Sequence, residues 1–149
     1  MVYYTDGACS GNGTLKSSGG YGVVEIDKDN IIWQYQDFKS PTTNNEMELM
    51  AILKALQHIK ESPDHFLKPI IYSDSSYCVN LINDWMYSWE RNGWKRPHNQ
   101  EVKNLDIIKQ IYSLAHLANI QKVSGHSGVK WNEYVDKLAT GKIKIGENI

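Results

Sequence analysis

Val2-Tyr3-Tyr4-Thr5-Asp6-Gly7-Ala8-Cys9-Ser10-Gly11-Asn12-Gly13 is the stretch that decides the fold. Its first four residues are β-branched or aromatic, types that suit a pleated, half-buried strand. Asp6 follows at the strand end, where its neighbours are still core-forming. A lone carboxylate there is costly unless a hydrogen bond or a positive charge meets it. Gly7 also permits a simpler account, a turn aspartate that bonds nearby backbone. The choice depends on what the rest of the chain brings to Asp6.

Beyond this stretch, residues 11–20 are rich in turn formers and read as a loop. Leu15 stands where a phosphate-binding loop requires glycine before its lysine, and Lys16 where the dinucleotide pattern does, so both motifs fail. Residues 21–26 and 31–38 are strand-like and joined by Asp27-Lys28-Asp29-Asn30, which predicts antiparallel hairpin neighbours and a three-stranded meander. Thr43-Asn44-Asn45-Glu46 has the form of a capping box, with Thr43 as N-cap. The helix it opens is predicted to reach about Lys60, with Leu49, Leu53 and Leu56 at helical spacing, before Ser62-Pro63 ends it. Residues 69–74 form a short apolar run that again ends on an aspartate, Asp74. A helix from about Ser75, a tryptophan-rich segment, a helix over about 102–117, a strand over 120–123 and a helix over about 131–140 complete the pattern. Strands separated by helices predict parallel neighbours with right-handed crossovers. The expected fold class is α/β: a mixed five-stranded sheet, three antiparallel strands then two parallel, with helices on both faces. A single domain over 1–149 is expected, with 141–149 prone to fray.

Composition narrows the function classes. With 41% hydrophobic and 22% charged residues the chain has the makings of a folded core, and disorder is excluded. The formal net charge of -1 provides no chain-wide field for a polyanion, so any nucleic-acid contact must rely on local positive charge. No apolar run approaches the ~18 residues of a membrane helix, and no leader is expected ahead of the first strand. Cys9 and Cys78 make neither a disulfide framework nor a metal cluster, which favours a reducing, cytoplasmic setting. His58, His65, His98 and His116 read as surface helix or loop residues, and no Cys/His spacing suggests zinc.

Four carboxylates carry the chemistry: Asp6 and Asp74 at strand ends, Glu48 and Asp136 on helices. Each has an ordinary account alone; Glu48, for instance, suits a helix dipole. Ligands of open α/β sheets, however, gather beyond the carboxyl ends of strands. Two carboxylates ~4 Å apart repel by about 4 kcal/mol at an effective dielectric near 20. Without cations a converged cluster raises its pKa values or opens. Divalent cations that prefer hard oxygen donors remove that cost.

At these residues the chain resembles type 1 ribonuclease H, a family that cleaves the RNA strand of RNA–DNA hybrids. The resemblance rests on residues 4–13, 42–51, 72–77, 85–95 and 125–139, in family order and at family-like spacing over nearly the whole chain. It implies that Asp6, Glu48, Asp74 and Asp136 hold two Mg²⁺ ions, with Mn²⁺ a possible substitute. Hydrolysis by the two-metal-ion route would leave 5′-phosphate and 3′-hydroxyl ends. His126, in the glycine-flanked run Gly125-His126-Ser127-Gly128, would assist proton transfer or product release. Cys9, Asn12, Asn44 and Asn45 would meet the RNA 2′-hydroxyls in the minor groove. Asn44 and Asn45 suit helix capping equally well. The DNA strand would lie along Tyr77, Trp85 and Trp89, with a phosphate held by Thr43 and Asn104; the spacing of Trp85 and Trp89 serves core packing just as readily. Residues 85–109 look like the family's basic protrusion, but five basic residues against three acidic give only +2. Glu90 falls where relatives carry a basic or neutral residue, and Pro41 where they often place an arginine in the DNA-phosphate pocket. Both departures predict weaker hybrid affinity and a shallower salt slope than in more basic relatives. The resemblance also implies a monomer; with Met1 opening directly into the first strand no separate hybrid-binding domain is expected, and without a long apolar run no membrane contact is expected.

Three rivals stand beside this reading. A DNA-acting integrase, transposase or junction resolvase of the same broad fold would place its carboxylates in another order and lack the tryptophan-rich protrusion. A non-catalytic hybrid-binding module would not need all four carboxylates. A purely structural α/β domain leaves them unexplained.

Overall fold

The strand-forming stretch at the start of the chain becomes β1, Val2–Ser10, the middle strand of a five-stranded sheet in the computed structural model. The structure describes residues 1–12, 14–62, 67–123 and 130–146. β2 (Ser18–Asp27) pairs antiparallel with β1 from Val2↔Ile26 to Ser10↔Ser18. β3 (Asn30–Lys39) returns along β2 after a tight reversal in which Lys28 and Asp29 take φ of 50° and 60°. α1 (Asn44–Glu61) then crosses to β4 (Ile70–Ser73), which runs parallel to β1. α2 (Ser76–Asn80), one wide π-type turn at Leu81–Trp85 and α3 (Met86–Arg91) form a continuous helical run. A two-stranded ribbon of β5 (Lys95–Arg96) and β6 (Gln100–Glu101) leads to α4 (Leu105–Leu114). β7 (Asn119–Lys122) adds parallel to β4, and α5 (Lys130–Thr140) follows. The sheet order is β3-β2-β1-β4-β7, the expected three antiparallel strands followed by two parallel ones.

Strand alternation sends neighbouring side chains to opposite faces. Tyr3, Val23 and Ile71 pack with Leu49, Ile52, Leu56, Ile108 and Ile111 in the main core, under α1 and α4. Val24 and Ile26 face the other way, onto Val135 and Leu138 of α5. Helices therefore cover both faces. Among the described residues, no helix is long and apolar enough to cross a membrane.

Four local expectations are corrected. β1 does not stop before Asp6, because its antiparallel ladder with β2 continues to Ser10 while its parallel ladder with β4 ends at Thr5↔Ser73. The loop is shorter than residues 11–20, since Ser18 already pairs with Ser10. The helix expected over 102–117 begins only at Leu105, after Asn104 in a left-handed conformation (φ 59°), and gives way after Leu114 to a 3₁₀ turn ending at Leu117. His58 is half-buried rather than fully at the surface: its ring stacks on Trp33 at 3.8 Å, meets the Tyr3 hydroxyl at 2.8 Å and lies 3.5 Å from the buried Glu25 carboxylate. His98 and His116 are exposed, as expected; His65 lies outside the described residues.

Only half of the capping box forms. The Thr43 hydroxyl accepts from the Glu46 N–H at 3.1 Å. The Glu46 carboxylate instead accepts from the Thr42 hydroxyl at 2.6 Å and from the Lys39 ammonium at 2.5 Å.

Candidate active site

The parallel ladder that ends at Thr5↔Ser73 sets the site, because the next residue on each strand is an aspartate. Asp6, still within β1, and Asp74, just after β4, therefore stand side by side where the parallel ladder stops. The Thr5 hydroxyl donates to the Tyr72 carbonyl at 2.9 Å, and the Ser75 N–H donates to the Ser73 hydroxyl at 3.1 Å, which fixes the backbone on either side of Asp74.

Gly7 brings in the third carboxylate. A Cβ there would lie 2.3 Å from the Glu48 nitrogen and 2.4 Å from the Met47 carbonyl carbon, so only glycine lets the first turns of α1 rest on β1. The Gly7 N–H donates to the Asp6 carboxylate at 3.0 Å and also to the Glu48 carboxylate. From the opposite face, Gly22 sits across from Asp6 and lets α5 approach, since a Cβ there would lie 2.5 Å from the Leu138 Cβ. Asp136 of α5 thereby reaches the same cleft.

Asp6, Glu48 and Asp74 each offer an oxygen, and these oxygens lie within 4.8 Å of one another. Asp136 stands outside that tight set but lines the same open cleft, of about 470 Å³, with Asn44, Asn45, Cys9 and Ser75. Asp6 and Glu48 form a buried floor, while Asp74 and Asp136 are exposed at the rim. The described lining contains no cation. Burial pushes both Asp6 and Glu48 above the usual carboxylate range, and the negative charges around them push further: Asp74 and Asp136 on Asp6, Asp6 and Asp74 on Glu48. Both floor carboxyls are thereby shifted toward their neutral forms in the metal-free protein, Glu48 further than Asp6. Burial rather than a dipole interaction thus governs Glu48. The site fits a hard divalent cation: convergent carboxylate oxygens on two buried side chains and one exposed one, with no cation among the described lining to balance them.

This arrangement makes metal-free stability depend on pH. Native pKa values raised above the unfolded values, which lie near 4, mean that the native state binds more protons between the two. The stabilising contribution is full below about pH 4 and is lost as pH rises through neutrality. In chelator, melting temperature is therefore expected to fall between pH 5 and pH 8, and added Mg²⁺ should raise it more at pH 8 than at pH 5. A flat chelator profile, unaltered by Mg²⁺, would contradict the geometry.

Of the other residues singled out in the sequence, Cys9, Asn44 and Asn45 line the cleft. Asn12 accepts the Asn44 N–H at 2.7 Å, tying the loop after β1 to the start of α1. The Cys9 thiol reaches the Thr42 carbonyl at 3.5 Å. Thr43 is committed as a helix cap, and Asn104 precedes α4 without a side-chain capping bond. Tyr77, 40% exposed, meets Trp85 edge-on at 5.5 Å, and Trp85 meets Trp89 at 6.4 Å. Both tryptophans are half-buried and pack on the core, and Tyr77 is the exposed member of the three. His126 lies outside the described residues.

With the geometry established, the comparisons with known proteins are decisive. A family model for RNase H matches residues 1–144. The chain belongs to the RNase H family. It is a nuclease of that family, 42% identical over 144 residues to the "Ribonuclease H" of Acetivibrio thermocellus, with 95% of this chain and 92% of the relative covered. Among solved structures it is similar to LC9-RNase H1, described as a type 1 RNase H with the type 2 active-site motif: 28% identity, TM-score 0.77, 94% of this chain and 70% of that one. It shares its fold with the foamy viral protease-reverse transcriptase captured with an RNA/DNA hybrid, at TM-score 0.82 and 22% identity over 94% of this chain and 19% of that one. Sequence reading did not find Gly7, Gly22 or the Asn12–Asn44 bond, because each depends on a partner far away in the chain.

Proposed function

We propose that this chain is a single catalytic domain that hydrolyses the RNA strand of RNA–DNA hybrids. The observation that carries the reading is the convergence of Asp6, Glu48 and Asp74 just past the end of the parallel ladder between β1 and β4, in a chain of the RNase H family. The foamy viral neighbour's capture with an RNA/DNA hybrid agrees with that substrate. Asp6, Glu48, Asp74 and Asp136 would hold two divalent ions, Mg²⁺ being the natural choice for oxygen ligands. When bound, the ions would activate the attacking water and stabilise the leaving 3′ oxygen, giving 5′-phosphate and 3′-hydroxyl ends. Gly7 orients both floor carboxylates through its N–H. Asn12, Asn44, Asn45 and Cys9 would read the RNA minor groove beside them, and His126 would assist proton transfer. Tyr77, Trp85 and Trp89 would carry the DNA sugars, with Thr43 and Asn104 at a phosphate. The enzyme would act as a cytoplasmic monomer.

A cleavage assay on hybrid, duplex RNA and duplex DNA, with Mg²⁺ and with chelator, tests the reading. RNA cleavage confined to the hybrid and abolished by chelator is expected. Cleavage of duplex DNA would transfer the chain to the DNA-acting rivals, and hybrid binding without cleavage to a binding module.

A further inference from the structure

The loop between β1 and β2 holds a large apolar side chain almost wholly in water. Leu15 is 93% exposed, and Lys16 beside it is exposed with no ion pair among the described residues. An isolated exposed leucine needs no explanation on an ordinary surface. This one sits at the tip of a braced turn. The Thr14 N–H and hydroxyl both donate to the Gly11 carbonyl, at 3.1 and 2.7 Å, and the Ser17 N–H donates to the Thr14 carbonyl at 3.2 Å. Ser17 is fully buried; its hydroxyl accepts the Thr42 N–H at 2.8 Å, and its carbonyl accepts the Ser40 hydroxyl at 2.7 Å. With the Asn12–Asn44 bond, these contacts fasten both sides of the loop to the segment that opens α1, whose Asn44 and Asn45 line the catalytic cleft. The tip is thus pre-organised beside the cleft, with an apolar knob and an uncommitted cation.

We propose that Leu15 and Lys16 form a substrate clamp: Leu15 lies against the sugar edges of the hybrid's minor groove, and Lys16 neutralises a backbone phosphate flanking the scissile site. The proposal rests on the hybrid-cleaving function above. Apolar side chains suit minor-groove sugar edges, and a lysine on a phosphate adds affinity without sequence preference. The described cleft lining holds no cation, and Lys16 stands on the turn that the Asn12–Asn44 bond ties to that lining, so it is a group able to supply one.

Lys16→Ala and Leu15→Ser test the two halves. Hybrid cleavage is followed with Mg²⁺, and binding of a fluorescent hybrid is followed in chelator across a salt series. Lys16→Ala should raise KM roughly three- to tenfold with kcat held, and flatten the slope of log affinity against log salt by about one unit. Leu15→Ser should raise KM with the slope unchanged. Neither change should alter the melting temperature, since both side chains are exposed. Hybrid cleavage with wild-type KM and slope in both variants overturns the clamp alone. Failure of the unsubstituted protein to cleave or bind hybrid overturns the functional reading, and the clamp with it.

Discussion

Asp6→Asn should lower hybrid hydrolysis on the order of 10³-fold or more, about 4 kcal/mol of transition-state stabilisation, while making the metal-free protein more heat-stable. The amide keeps the shape of the side chain, an oxygen for the Gly7 N–H, and a donor for Glu48. What it removes is a negative charge at a buried position beside Glu48, Asp74 and Asp136. In metal-free protein that charge only repels, so its loss stabilises. In the working enzyme it is the carboxylate at the centre of the cluster, and its loss weakens the hold on a divalent ion. At pH 8 in chelator the variant should melt several degrees above the unsubstituted protein. The gap should narrow at pH 5, below the raised Asp6 value of about 7, where Asp6 in the unsubstituted protein is itself largely neutral. Mg²⁺ should then raise the melting temperature of the unsubstituted protein and have less effect on the variant. A variant that turns over hybrid at more than about a tenth of the normal rate would sink the assignment of Asp6 to the reaction.

The sequence exposed the fold where it depends on local pattern and hid it where it depends on approach. The β-branched and aromatic run of residues 2–5, the leucine spacing of α1 and the strand–helix alternation after Asp74 each reflect one face meeting a core, and the sheet follows from them. The awkwardness of Asp6 was equally legible, because burial of a carboxylate is a question that composition alone can raise. Its answer was not. Glu48 could belong to a helix dipole or to a cluster, and only the seating of α1 on β1 decides it. The boundary of α4 was misplaced because Asn104 takes a left-handed conformation that spares three residues from the helix. His58 read as surface because its partners, Tyr3, Glu25 and Trp33, come from three different strands.

Gly7→Ala should be the most disruptive single-methyl substitution in the site. The added Cβ would meet the backbone of Met47 and Glu48 at 2.4 and 2.3 Å, far inside contact distance, and backbone at the start of a helix cannot rotate away as a flexible side chain can. Either α1 lifts from β1 or the strand shifts away from β4. The first option opens the packing of buried Met47 and Leu49, and the second disturbs the register that places Asp6 beside Asp74. A loss of about 3 kcal/mol is expected, at the upper end of overpacking costs, visible as a lower urea midpoint with little change in slope. Activity should fall further than stability explains, because the Gly7 N–H orients both floor carboxylates. Measured at a temperature where the variant remains folded, kcat should drop at least tenfold, and Mg²⁺ should stabilise it less than the unsubstituted protein. The matching change at Gly22 separates the two effects. A Cβ there meets the Leu138 side chain and the α5 backbone rather than α1, so Gly22→Ala should displace Asp136 while leaving the Asp6–Glu48 pair in place. Its metal-free pH profile should therefore keep the fall between pH 5 and pH 8 that Gly7→Ala flattens. Equal pH profiles for the two variants would show that the pair does not depend on the contact between α1 and β1.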